Sequence, residues 1–439
     1  MGSVPIFHFG GFFGQVHQTM KTARNNAMPI SRYTTHMRSL LALIVVALAG
    51  CTAGLPREDL TCPMEPACPA CPQCPVVKPP ETARYQETSF ASLPGWPGAS
   101  LAPSLRAFLA GCVRPVIHAK VCELARAVPE NDEAAARRFF ESAFVPYALV
   151  SSDSGDTGLV TGYYEPVIEG ARVRSEQNRL PIFGVPEDLM VVDLATINPD
   201  VRNMRLRGRI DGRRVVPYYS RAEIDSKGAA LPAPVLGWTA DPVALFFMQI
   251  QGSGQLRLDS GERVRLGYAD QNGHPFRSLG RYLVERGELK LEEASMQGIK
   301  AWAAANPARL KEALNQNPSY VFFRELPPAS NALEGPVGAL GVPLSAEYSV
   351  AVDRRFIPLG SPVYLATTYP LSEDRLERLM AAHDTGGAIR GAVRADFYWG
   401  GGPDAGNRAG RMRQQGKMWL LWPRGEPLPR GEASAPRYD

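Results

Sequence analysis

Apolar positions along this chain change their period several times, and the changes divide it into segments. Helical spacing begins near Pro103. Asn131 stands where a helix cap is expected, and Ala135, Phe139 and Ala143 recur every four residues behind it. Gly158 to Pro166 (GLVTGYYEP) reads as a strand closed by a proline, and 167–270 reads as short strands broken by Gly and Pro. Leu245 to Gly254 (LFFMQIQGSG) is the most strand-like of these runs. Three helices follow. The first carries Phe276, Leu279, Leu283 and Val284 on one face, with Gly287 as its C-cap. A second covers Glu292 to Ala304, and a third opens with Asn306 as cap and Pro307 at the first helical position. Tyr320 to Phe323 returns to strand. From Val337 to Trp422 nearly everything is short strand and glycine turn, which predicts a small closed β-barrel.

The chemistry concentrates late in the chain. Arg394-Ala395-Asp396-Phe397-Tyr398-Trp399 reads as a strand, whose period of two puts Arg394, Asp396 and Tyr398 on one face. Ala395, Phe397 and Trp399 share the other face, which suits a core. Asp384 lies a short loop upstream, and glycines crowd both flanks. A carboxylate on a short strand, framed by tight turns and aromatics, fits an acid/base site acting on a carbohydrate. By the residues alone a purely structural reading stands beside it, because Asp and Gly are also ordinary turn residues.

The net charge of +4 comes from residues 1–51, where Lys21, Arg24, Arg32 and Arg38 face no acidic residue. The rest of the chain is balanced, so global charge gives no support for a nucleic-acid partner. The basic segment leads into a short apolar run (40–50) and Cys51. That run is too short to span a bilayer, which takes roughly 20 residues, and has the marks of a secretory signal. Leu48-Ala49-Gly50-Cys51 resembles a bacterial lipobox, which makes Cys51 the lipidation site. Thr52 behind it favours the outer membrane. Met28 or Met37 would give a more usual signal length, so 1–27 reads as a mis-assigned start. Residues 52–95 read as a proline- and cysteine-rich tether. Within it Cys62, Cys68, Cys71 and Cys74 leave two readings, a metal site or thiols that oxidise in a polyproline-like segment. Cys112 and Cys122 are placed for a local disulfide in an oxidising compartment.

No Gly-x-Ser-x-Gly elbow, HExxH or P-loop occurs, and the histidines do not cluster. Nothing signals a metal or organic cofactor, and carboxylate chemistry remains. At this point the chain resembles the membrane-bound lytic murein transglycosylase A family. The resemblance is carried by TGYYEP (161–166), YYSRAEID (218–225), FFMQIQGSG (246–254), the 267–289 stretch beginning GYADQNGHPF, NPSYVFF (317–323), VDRRFIPLGSPV (352–363) and the 383–410 stretch beginning HDTGGAIRG. The last part also looks like the 3D domain, whose three aspartates match Asp353, Asp384 and Asp396.

The resemblance implies a mainly β protein with N-terminal and insert helices. A double-psi β-barrel would carry the catalytic aspartate, with a second, barrel-like β domain inserted in its chain path and a sugar-binding groove between them. The implied boundaries are 96–166 and 329–425 for the barrel domain, 167–328 for the insert and 426–439 for a disordered tail. The implied activity is a lyase that cuts the MurNAc–GlcNAc β-1,4 bond of peptidoglycan and leaves a 1,6-anhydro ring on MurNAc. Asp396 matches the catalytic position and Asp384 its neighbour, which orients Asp396 or raises its pKa. Thr161, Gly162, Tyr163 and Tyr164 either line the groove or pack as a buried aromatic pair and its supports. Gln251 and Ser253 offer hydrogen bonds from the insert to acetamido groups. Asp353 reads as structural, ending a strand or pairing with an arginine. Arg394 is expected to splay toward solvent or a substrate carboxylate, leaving burial to raise the Asp396 pKa. The implied partners are peptidoglycan glycan strands, the periplasmic face of the outer membrane through the lipid anchor, and complexes of cell-wall synthesis or hydrolysis.

Overall fold

The computed structural model describes residues 81–113, 119–194, 197, 206–329 and 334–430. The signal and lipobox, Cys51 and the four tether cysteines lie outside them. The described residues belong to one compact unit, mainly β with helices at its start and between its strands.

In chain order, β1 (Ala83–Glu87) pairs antiparallel with β2 (Phe144–Ser151). β3 (Gly158–Glu165) is the last strand before the chain leaves this sheet. β4 (Val167–Gly170), β5 (Leu180–Phe183), a meander of β6 (Met190–Val192), β7 (Leu206–Asp211) and β8 (Arg214–Pro217), and β9 (Val235–Thr239) follow. Then come β10 (Ser253–Leu258), β11 (Arg263–Gln271) and β12 (Val321–Glu325), with three helices between the last two. A hairpin of β13 (Glu334–Val337) and β14 (Pro343–Ser345) leads back to β15 (Ser349–Val352), β16 (Pro362–Thr368), β17 (Arg375–Asp384), β18 (Ala395–Gly401) and β19 (Arg413–Pro423).

Six of these strands close a ring in the order β3, β18, β15, β17, β16 and β19, and β19 returns to β3. β19 can close the ring because its eleven residues serve three partners in succession. Arg413–Gly416 pairs with β3, Lys417–Leu420 with β16, and Trp419–Pro423 with β2. The apolar run Met418–Trp422 is two-sided for the same reason. Met418, Leu420 and Trp422 fill the ring's interior with Val350, Val363, Phe397 and Trp399. Trp419 and Leu421 face a second core under the N-terminal helices, with Phe108, Phe139, Phe140 and Phe144. A strand buried on both faces loses polar alternation. A disulfide joins Cys112 and Cys122, with Cα atoms 5.5 Å apart, tying the helix Ala102–Gly111 to the helix Ala119–Arg126.

Between β3 and β13 the chain builds a separate set of sheets. β4, β10, β11 and β12 form one sheet and β5 pairs with β9. Isolated bridges Ala171–Trp238 and Gly184–Phe323 join the two sheets at both edges into a second, looser ring.

Four expectations are corrected here. Leu245–Gly254 is not a strand: Pro242–Gln251 is a helix and β10 starts at Ser253. Asp241 caps that helix by accepting from the Val243 and Ala244 amides, Pro242 sits at its first position, and Gly252 ends it at φ 78°. Its sequence misleads because it is wedged between two cores, Phe246 and Phe247 in one and Leu245 and Met248 in the other. An all-round apolar helix has no amphipathic period to read. Second, the cap of the helix Glu133–Ala143 is Asp132, which accepts from the Ala135 amide at 2.8 Å; Asn131 is a left-handed turn residue at φ 61°. Third, the tether ends before residue 81 rather than at 95, since β1 pairs with β2 and Trp96 is buried. Fourth, the tail is held at its start, where Trp422 Nε1 donates to the Pro427 carbonyl at 3.0 Å.

Candidate active site

Parallel pairing of β3 and β18 sets the register of the site. Asp396 stands opposite Thr161 and Tyr398 opposite Tyr163. The period of two then puts Thr161, Tyr163, Asp396 and Tyr398 on one face, and the residues between them on the other. Across the ring, β15 lies between β17 and β18, and Ala351 pairs with Asp384 on one side and Asp396 on the other. Two interstrand steps separate the aspartate Cα atoms, about 10 Å, and the small Ala351 side chain between them packs with Tyr163. Sequence distance could not show this: β15 must thread between the two strands first.

Thr161 Oγ1 donates to Asp396 Oδ1 at 2.6 Å, and Arg394 Nη2 donates to Thr161 Oγ1 at 2.8 Å. Arg394 therefore does not splay outward as expected. Its guanidinium also reaches the carbonyls of Leu159 and Ala395, which hold it along the start of β3. Both aspartates are half-buried. Burial pushes the Asp396 carboxyl above its ordinary value, against the opposing pull of the Arg394 cation and the Thr161 hydroxyl. Burial likewise pushes Asp384 up to about 6, against amide donation from Ala339 and Thr385, with the Asp396 charge adding to the rise. Those two amides both bond Asp384 Oδ1 at 2.9 Å.

The Tyr163 ring packs on Tyr398 at 5.1 Å between centroids, within a small cluster of Leu344, Ala351 and Ile389. Its buried hydroxyl faces Asp384 without a hydrogen bond of normal geometry, and burial with the two nearby carboxylates holds the phenol protonated. Tyr164 turns the other way. Its ring packs in the barrel core against Gly406, and its amide donates to Gln251 Oε1 at 3.0 Å. Tyr164 is thus on the core side, and Gln251 pins the insert helix to β3. Gly162 also faces away from Asp396. A Cβ there would lie 2.6 Å from Trp399 Nε1 and 3.0 Å from the Ala409 Cα, so close packing explains this glycine. Ser253 is buried at the start of β10, opposite Gly267.

Asp353 is 1% exposed at the end of β15. Burial alone would raise its pKa, but the Arg355 guanidinium and the Gly391 and Arg355 amides together pull it below the ordinary value. Its bond to the Gly391 amide, 2.9 Å, ties down the loop between the two aspartate strands. His383 is fully buried, bonded through Nδ1 to Ser349 Oγ at 2.9 Å, and burial holds its pKa down to about 4. It is neutral at working pH. Sequence reasoning did not find Glu165, 2% exposed where the insert begins, with its pKa raised by burial and Oε2 accepting from Gln255 at 2.8 Å. Among the described residues no cluster of three His, Cys, Asp or Glu side chains could hold a metal ion.

Comparison with known proteins agrees with this arrangement. The MltA specific insert domain matches residues 159–324 and the 3D domain matches 348–422. The membrane-bound lytic murein transglycosylase A of Escherichia coli K12 is 38% identical over 285 residues, which cover 63% of this chain and 68% of that protein. The chain belongs to the membrane-bound lytic murein transglycosylase A family. It is accordingly a lytic murein transglycosylase, a peptidoglycan-cleaving lyase. The crystal structure of MltA from Neisseria gonorrhoeae is 42% identical and superposes with a TM-score of 0.69, covering 79% of this chain and 95% of that one. E. coli MltA solved with bound chitohexaose is 29% identical with a TM-score of 0.56, covering 74% and 90%.

For this transglycosylase the raised Asp384 pKa has a consequence for stability. A carboxyl whose folded pKa lies above its unfolded one contributes stability below the unfolded value, and that contribution is lost as pH rises to about 6. Asp384→Asn keeps an oxygen for the Ala339 and Thr385 amides and removes the charge. It is expected to raise the melting temperature at pH 8 and to leave it unchanged at pH 4. A variant that melts lower at pH 8 than the parent, with no difference at pH 4, would mean that the ionised carboxylate stabilises the fold.

Proposed function

We propose that this enzyme cleaves the MurNAc–GlcNAc β-1,4 bond and closes a 1,6-anhydro ring on MurNAc, with Asp396 as the only acid/base. The observation that carries this reading is the Asp396 carboxyl itself. It is raised by burial and bonded on one oxygen by Thr161. In the first step the leaving GlcNAc oxygen takes the Asp396 proton as the C1–O bond breaks. In the second the MurNAc C6 oxygen bonds to C1, and its proton returns to the Asp396 carboxylate. A hydrolase would need a second carboxylate as nucleophile or water activator. Asp384, whose Oδ1 is engaged by two backbone amides, is a supporting neighbour rather than a second acid/base.

The six-strand ring, with its parallel β3–β18 and β15–β17 pairs, supports a double-psi β-barrel. The break at Glu165 and the return at β13 support the domain division 96–166 and 329–425 around an insert at 167–328. The glycan strand lies in a groove between barrel and insert, where Asp396 and the Gln251 side chain meet it. The chitohexaose bound to E. coli MltA supports a β-1,4-linked amino-sugar strand as ligand. The relatives are named membrane-bound, and among the described residues no helix is long and apolar enough to cross a membrane. We place the enzyme at the periplasmic face of the outer membrane, anchored through Cys51.

The reading is tested by mass spectrometry of muropeptides released from purified sacculi. Products one water lighter than the hydrated sugar are expected, and hydrated reducing-end MurNAc would exclude the ring-closing step. A pH profile gives a second check. The reaction starts from a protonated carboxyl, so the rate is expected to fall as pH rises through the Asp396 pKa, which burial holds above its ordinary value. A rate that rises through that range would point to a base as the starting form.

A further inference from the structure

Thr161 has one hydrogen to donate and lone pairs to accept with. An arginine guanidinium can only donate. Because Arg394 Nη2 donates to Thr161 Oγ1 at 2.8 Å, the hydroxyl hydrogen is turned away from Arg394 and onto Asp396 Oδ1, 2.6 Å away. A protonated Asp396 that accepts this bond at Oδ1 carries its own proton on Oδ2. Arg394 is itself fixed, since its other guanidinium nitrogen donates to the carbonyls of Leu159 and Ala395.

We propose that Arg394 is a positioning residue for the reaction, acting through Thr161 to fix the acid's proton on Asp396 Oδ2. The proposal rests on Asp396 as the acid/base. In balance, Oδ2 gives its proton to the leaving oxygen, which keeps the electron pair of the broken C1–O bond. The same Oδ2 then takes the proton of the C6 hydroxyl as its oxygen bonds to C1. Oδ1 keeps the Thr161 bond throughout, so one oxygen serves both steps without rotation of the carboxyl. The arginine also has an opposing effect, because its charge favours the ionised acid. The other titratable groups facing Asp396 are Asp384 from β17 and Tyr163 from β3.

The test is a cycle of Arg394→Met, Thr161→Val and the double variant, assayed as full chains on purified sacculi across pH. Arg394→Met is expected to lower plateau kcat roughly tenfold with KM unchanged, and Arg394→Lys, which restores one donor and the charge, to recover most of it. Thr161→Val is expected to cost a similar factor. If the arginine works through the hydroxyl, the double variant is no slower at the plateau than Thr161→Val alone. The high-pH limb should nevertheless move upward whenever Arg394 is lost, because its charge acts on Asp396 with or without Thr161. Plateau losses that multiply in the double variant would overturn the proposal, as would an Arg394→Lys no faster than Arg394→Met. Asp396→Asn is run alongside: near-parental activity there would show that the acid assignment, rather than the relay, has failed.

Discussion

Asp396→Asn is expected to slow glycan cleavage by roughly 100-fold or more, the usual worth of a positioned general acid, with the melting temperature unchanged or higher. The amide can still accept the Thr161 hydrogen bond at Oδ1, so the local geometry survives. It cannot deliver a proton to the leaving oxygen or take one from the C6 hydroxyl, so both steps lose their acid/base. Burial raises the pKa of this carboxyl, so its ionised form is the costly one, and removing the charge should not destabilise the ring. Release of muropeptides under initial-rate conditions measures the first effect and thermal denaturation the second. A variant that retains more than about a tenth of the parental rate would move the acid role to another group, with Asp384 the first to examine.

Asp353→Ala is expected to have the largest effect on stability, about 3 kcal/mol. Its carboxylate is buried and takes the Arg355 guanidinium, the Arg355 amide and the Gly391 amide. Truncation removes an acceptor from that guanidinium and from two amides, and a buried amide that loses its acceptor costs more than the contact itself yields. The melting temperature should fall by roughly 5 °C or more. Activity should fall as well, because Gly391 belongs to the loop that delivers Arg394 and Asp396 to β18. Asp353→Asn, which keeps an oxygen for the Gly391 amide but none for the Arg355 amide, should lose about half as much stability. Equal losses in the two variants would mean that the ion pair, not the loop anchor, holds this corner.

What the sequence made legible is local. The two faces of β18 were readable because Ala395, Phe397 and Trp399 alternate with Asp396 and Tyr398 along a short strand, and the first three do lie in the barrel core. Asp353 was readable as structural because Arg354 and Arg355 follow it, and the second of these pairs with it. The neighbouring cysteines 112 and 122 were likewise close enough in sequence to suggest their bond. What stayed hidden depends on remote partners. Arg394 was expected to splay away and leave burial dominant at Asp396; the hydroxyl that it donates to instead, on Thr161, lies 233 residues away. Tyr163 and Tyr164 are indistinguishable by type, and only the pairing of β3 with β18 on one edge and β19 on the other decides which ring faces the aspartates. The helix Pro242–Gln251 was misread for a related reason: two cores cover it, so burial erases the helical period.

The central claim is that the sugar's own C6 hydroxyl, not water, completes the reaction that Asp396 starts. Digestion of purified sacculi in heavy-oxygen water, followed by mass spectrometry of the released muropeptides, addresses it directly. If the C6 oxygen closes the ring, no solvent oxygen enters the products, and every new chain end is an anhydro sugar of unchanged isotopic composition. One heavy oxygen at each new reducing end would mean that water attacks C1, and would contradict the account.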